Sequence, residues 1–188
     1  MTEVDHPTPT AADTGRRAVV LDSAMLTFAR YGYRKTSMEE VARAARISRP
    51  GLYFLFSSKE TLFRAAVGQA LDRDITAVED VLADPGRPLR DRLADAFDQW
   101  AGRYVGPLTS DVEAVIDDNP GLLGEIIEAP RRRFEELITD AIATESGRQA
   151  APPLARTMIS TSIGLKHQVT SREIYLERLK VAIDLLLR

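Results

Sequence analysis

The chain has 188 residues, 44% hydrophobic and 28% charged, the balance of an ordinary globular protein long enough for a substantial core. It contains no cysteine and only two histidines, His6 and His167, which excludes disulfides and thiolate metal sites and argues against a His-rich one. The net charge of −3 is uneven: residues 14–67 hold ten Lys/Arg against four Asp/Glu, and residues 68–188 hold fifteen against twenty-one.

A basic segment on an acidic body suggests one end that meets a polyanion, although chance clustering gives the same counts. The first twenty residues lack an apolar run, so no secretory signal is expected. No stretch approaches the roughly 20 apolar residues of a membrane-spanning helix. A cytoplasmic protein without membrane contact is the simplest expectation. Residues 1–13, with two prolines and three threonines, read as a disordered tail.

Helical signals then follow one another, without clear strand alternation. From Thr14 to Tyr31, Val20, Leu21, Ala24, Met25 and Phe28 form one apolar face, and Gly32 ends the helix. Ser37 caps a short second helix, with Glu40 completing a capping box and Met38, Val41, Ala42 and Ala45 turned inward. Ser48 caps a third helix, with Pro50 in its first turn, and Ser58 caps a fourth over about 59–83. The run Asp84-Pro85-Gly86-Arg87-Pro88 breaks the chain. Further helices are expected over about 89–105, 110–117, 121–145, 154–169 and 172–187, with Pro130 kinking or dividing the third of these. The fold class is all-α with about nine helices.

Two short helices joined by a tight turn within residues 36–63 fit a helix-turn-helix. A recognition helix enters a major groove about 12 Å wide, so its leading residues must be small or flexible. Ser48, Pro50 and Gly51 meet that demand. Arg49 can reach a guanine edge or a phosphate, and Tyr53 a phosphate or a thymine methyl. Lys59, Thr36 and Ser37 can hold backbone phosphates from the starts of their helices. Leu52, Phe56, Ile47 and Val41 read as core, and Arg43 and Arg46 as solvated charges.

The segment of about residues 16–64 resembles the DNA-binding domain of the TetR family. The likeness rests on Val20, Ala24, Phe28, Gly32, Tyr33, Thr36-Ser37-Met38, Val41-Ala42 and Ile47-Ser48. It continues through Gly51-Leu52-Tyr53-Phe54, Phe56, Ser58-Lys59-Glu60 and Leu62-Phe63. So many matches at fixed spacing make a specific signal. Two positions depart from the family. Arg46 stands where the family usually has the glycine of the turn, so the turn needs a non-glycine residue in an unfavourable conformation or a different geometry. Arg46 can alternatively add a phosphate contact. Leu55 replaces a frequent histidine near a phosphate.

The resemblance implies a helix-turn-helix domain over 14–64 and a ligand-binding and dimerisation domain over 65–188. Residues 174–187 contain ten apolar and four charged positions, too many apolar ones for a helix buried on one side only. The preceding helix carries Ser160, Thr161, Ser162 and Gly164, which allow close helix approach. The family implies a homodimer through these last two helices, about 154–187, on pseudo-palindromic operator DNA. It also implies a small-molecule effector, for which Phe97, Trp100, Tyr104, Phe134, Met158 and His167 are candidates, although each also reads as ordinary core. No metal and no other cofactor is expected. The run Arg131-Arg132-Arg133 reads as a solvated face, with Glu128 and Arg132 at i,i+4 spacing.

The reading is therefore a ligand-released repressor. The alternatives are an all-α carrier or enzyme without DNA binding, and a regulator that activates or has no ligand. Against an enzyme stand the lack of a glycine-rich phosphate loop, of metal-ligand spacing and of a Ser/His/Asp arrangement. A carrier would need a pocket but no recognition helix.

Overall fold

The computed structural model describes residues 11–106 and 120–188. Of the expected disordered tail over 1–13, residues 1–10 lie outside the described residues, as does the expected helix over 110–117, whereas Ala11, Ala12 and Asp13 are helical and extend the first helix beyond its expected start at Thr14. Among the described residues there are eight α-helices, one 3₁₀ turn and no strand. They are α1 (Ala11–Tyr31), α2 (Met38–Ala44), α3 (Arg49–Leu55), α4 (Lys59–Leu82) and α5 (Leu89–Trp100). The 3₁₀ turn (Gly102–Tyr104), α6 (Pro120–Ser146), α7 (Ala151–Gln168) and α8 (Arg172–Leu186) follow. The chain divides into two compact units, one ending at Gln69 and the other beginning at Ala70.

In the first unit, the apolar face of α1 buries Val20, Leu21, Ala24 and Phe28 with Val41, Leu52, Leu62 and Phe63. Phe28 meets the edge of Phe63 at 4.9 Å between centroids, and Tyr33 lies 4.9 Å from the same ring. Such pairs add to the burial of their area. Gly32 takes φ +77°, the left-handed conformation that ends α1, and its N–H donates to the Phe28 carbonyl at 2.8 Å. Gln69 in α4 donates to the Ala18 carbonyl and the Asp22 carboxylate, tying α4 to α1.

The second unit has its own core, in which Leu93, Phe97, Phe134, Ile138, Ile142, Met158, Tyr175, Leu179 and Ile183 are fully buried. α6 runs unbroken through Pro130, which was expected to kink or divide it. Buried Leu123 and Ile127 before the proline and buried Phe134 and Ile138 after it anchor both halves. That packing offsets a local cost of about 3 kcal/mol. α7 starts earlier than its sequence suggests, because Pro152 and Pro153 fit a first turn that needs no N–H from them. Glu128 pairs with Arg131 at 3.6 Å rather than with Arg132, and Arg133 reaches Glu79 of α4 at 2.6 Å. These exposed pairs contribute little stability.

α5 ends at Trp100, short of the expected 105, at a close crossing with α8. A Cβ on Gly102 would stand 2.5 Å from Oδ1 of Asp98 and 2.9 Å from the Tyr175 ring. Arg172 grips the Asp98 carboxylate through Nε at 2.7 Å and through Nη2. The Tyr175 hydroxyl shares a hydrogen bond with Ser162 at 2.7 Å, and burial pushes its pKa up to about 12. Gly102→Ala is expected to cost about 1–3 kcal/mol by overpacking. Denaturant unfolding followed by circular dichroism would read the loss, and an unchanged midpoint would contradict the tight crossing.

Candidate nucleic-acid interface

The interface is built from local signals. The Ser37 side chain accepts from the Glu40 N–H at 3.2 Å, and the Ser37 N–H donates to Glu40 Oε2 at 2.7 Å, closing the capping box on α2. The Ser37 N–H and the Ser37 hydroxyl, both donating to Glu40 Oε2, hold that carboxyl below its usual range. α2 then ends in a Schellman motif: Arg46 N–H donates to the Arg43 carbonyl at 3.1 Å and Ile47 N–H to the Ala42 carbonyl at 3.0 Å. The motif requires a left-handed residue, and Arg46 supplies it at φ +55°. An L-residue pays about 1–2 kcal/mol for that conformation.

Ser48 caps α3 by accepting from the Gly51 N–H at 3.1 Å. Leu52 is completely buried, and with 100° between successive residues the helix turns its other side outward. That side carries Arg49, Pro50, Tyr53 and Phe54, all exposed. Arg49 lies over the Tyr53 ring at 5.7 Å, a contact that steadies two long side chains one turn apart. Gly51 is half-buried, and an added Cβ would come within 3.1 Å of Ser48 Oγ, so its smallness serves the cap.

Two expected phosphate ligands sit differently. Thr36 is 1% exposed, and its hydroxyl donates to the Gly32 carbonyl at 2.8 Å. It buttresses the turn between α1 and α2 instead of facing outward. Lys59 is half-buried; its ammonium donates to the Tyr33 carbonyl at 3.0 Å and lies 4.5 Å from the centre of that ring. It locks the start of α4 to the end of α1. Ser58 caps α4 reciprocally with Thr61, at 3.1 and 3.0 Å.

Sequence reasoning gave Phe54 no outward role, yet among the described residues it is the most exposed large apolar one, at 91%. The signal was available: Phe54 is two residues from buried Leu52 and so falls on the opposite side of α3. Arg34 and Lys35, exposed just before α2, add positive charge that sequence reasoning also passed over. Leu55, where a histidine was expected, is half-buried at the end of α3 and offers no hydrogen bond.

In the second unit, the effector candidates separate into three groups. Phe97, Phe134 and Met158 are fully buried, with Phe97 edge-on to Phe134 at 5.2 Å. Trp100 is half-buried and stacked on Phe134 at 4.8 Å. Tyr104 is half-buried and hydrogen-bonds to Asp74, whose other carboxylate oxygen accepts from Arg103 at 2.9 Å. Burial raises the pKa of both Asp74 and Tyr104. His167 is exposed in the last turn of α7, next to Lys166, whose ammonium lies 6.0 Å from the centre of the Tyr104 ring; a basic residue there complements the helix dipole. An open surface cleft lined by Arg132, Glu135, Glu136, Thr139, Asp140 and Pro152 includes none of the six.

Residues 20–66 match the family model described as bacterial regulatory proteins, tetR family. The chain is 36% identical over 81 residues to the HTH-type transcriptional repressor ComR of Escherichia coli K12, covering 43% of this chain and 39% of that one. It is 33% identical over 123 residues to the A-factor receptor protein of Streptomyces griseus, covering 62% and 42%. The chain thus spans less than half the length of these curated relatives. The crystal structure of the reduced form of NemR from E. coli shares the fold, with a TM-score of 0.76 at 18% identity over 93% of this chain and 97% of that one. Among the described residues, no helix is long and apolar enough to cross a membrane.

Proposed function

We propose that this chain, whose residues 20–66 match the tetR family model, is a TetR-family sequence-specific DNA-binding regulator, a repressor released from its operator by a small molecule. The carrying observation is the exposed face of α3, where Arg49, Pro50 and Tyr53 stand clear behind a capped first turn. A guanidinium and a phenol there can read base edges in a major groove, while Ser37 and Ser48 keep the two helices in register.

The operator is bound by a homodimer formed through α7 and α8. Support comes from apolar side chains left uncovered on those helices: Ile163 at 56%, Ile174 at 40%, Val181 at 56% and Leu185 at 53%. On α8, Ile174, Val181 and Leu185 fall at i, i+7 and i+11, one stripe along the helix. Exposed Ser160 and half-buried Gly164 on α7 permit close approach. A two-fold pair would set two recognition helices on successive major grooves, roughly 34–36 Å apart.

We assign the effector to the neighbourhood of half-buried Trp100 and Tyr104, where the Trp100 ring lies stacked on buried Phe134. A ligand that binds better when the two heads are misspaced shifts the population off the operator. Trp100 is the only tryptophan, so its emission reports binding at that place alone. Nuclease footprinting of the DNA flanking the gene should show two protected half-sites about one helical turn apart. Protection of a single half-site would contradict the dimer.

A further inference from the structure

Arg46 is, among the described residues, the sole non-glycine residue with positive φ, at +55°. The turn demands this conformation, because the two hydrogen bonds that close α2 form only when the chain turns back at that residue. Glycine would adopt it without strain. Arginine adds nothing inside the protein: the residue is exposed, and among the described residues no carboxylate, carbonyl or ring takes its guanidinium. Its basic neighbours differ, with Arg43 lying 3.9 Å from Glu39 and Arg49 over Tyr53. A costly conformation with no internal return points to a use outside the chain.

We infer that Arg46 is a phosphate clamp, whose guanidinium donates to a backbone oxygen of the DNA beside the groove that α3 enters. The residue lies in the turn three positions before Arg49, so it is carried to the groove edge with the recognition helix. A planar fork of donors with a permanent charge suits a phosphate, and such a contact adds affinity without choosing a sequence. This inference rests on the DNA-binding reading above.

The test compares the wild-type chain with Arg46→Gly, Arg46→Asn and Arg46→Lys on a random-sequence duplex and on the DNA flanking the gene, across a salt series. Gly and Asn both tolerate the left-handed turn but lack the charge. Both variants should bind both duplexes on the order of tenfold more weakly. The slope of log affinity against log salt should become shallower by about 0.9 per subunit bound. Arg46→Gly should meanwhile unfold about 2–5 °C higher, which separates lost contact from lost fold. Arg46→Lys should keep most of the affinity and the slope. An unchanged slope in Arg46→Gly and Arg46→Asn would overturn the clamp, as would a loss in Arg46→Lys equal to that in Arg46→Gly. Failure of the wild-type chain to bind either duplex would instead remove the DNA-binding reading itself.

Discussion

Val181→Glu is expected to turn the dimer into a monomer and to weaken operator binding by at least about two orders of magnitude. Val181 is 56% exposed within its subunit, so the substitution leaves the subunit core intact. In the proposed dimer the same residue is covered by the partner helix pair. A carboxylate there loses its water without gaining a cation, and two-fold symmetry introduces the defect twice. Burying such an unpaired charge costs about 3–5 kcal/mol, enough to separate the subunits at working concentrations. Operator affinity then falls because each half-site must be held by one head alone. Sedimentation or light scattering would report the mass and circular dichroism the unchanged helix content. A variant that stays dimeric would move the interface away from α8.

Arg49→Ala is expected to lower affinity for the specific site by about 1–3 kcal/mol and to lower affinity for random DNA much less. Arg49 lies in the first turn of α3, exposed and braced against Tyr53. Its charge therefore travels with the helix instead of wandering on a free stem. Truncation removes both a donor fork and the packing partner of Tyr53, so base reading suffers more than electrostatic attraction does. Equal losses on specific and random DNA would make Arg49 a phosphate contact only. The salt slope distinguishes the same two roles independently.

The legible parts of this protein were those governed by neighbours in sequence. Ser37 with Glu40, Ser48 with Gly51, and Gly32 after α1 are all contacts spanning five residues or fewer, and spacing alone locates them. The resemblance left two geometries open for the turn at Arg46, and the structure takes the left-handed one, which completes a motif internal to α2 and its exit. Long-range partners were not legible. Nothing near Lys59 in sequence says that its ammonium will meet Tyr33, 26 residues earlier. Thr36 shows the same limit in another way: a threonine before a helix can face a phosphate or seal a turn, and only its burial decides. Pro130 does not divide α6, because Ile127 and Phe134 are buried on either side of it, a long-range packing that local cost alone does not reveal. Phe54 was named only as one residue of a family motif, and its outward side follows from its spacing to buried Leu52.

The most direct test is an electrophoretic mobility shift with the purified full chain, at stated salt, on DNA flanking its own gene and on a random duplex of equal length. A discrete complex at about a thousandfold lower concentration on the flanking DNA is the predicted result. Equal affinity for the two duplexes, or no complex with either, would contradict a sequence-specific regulator.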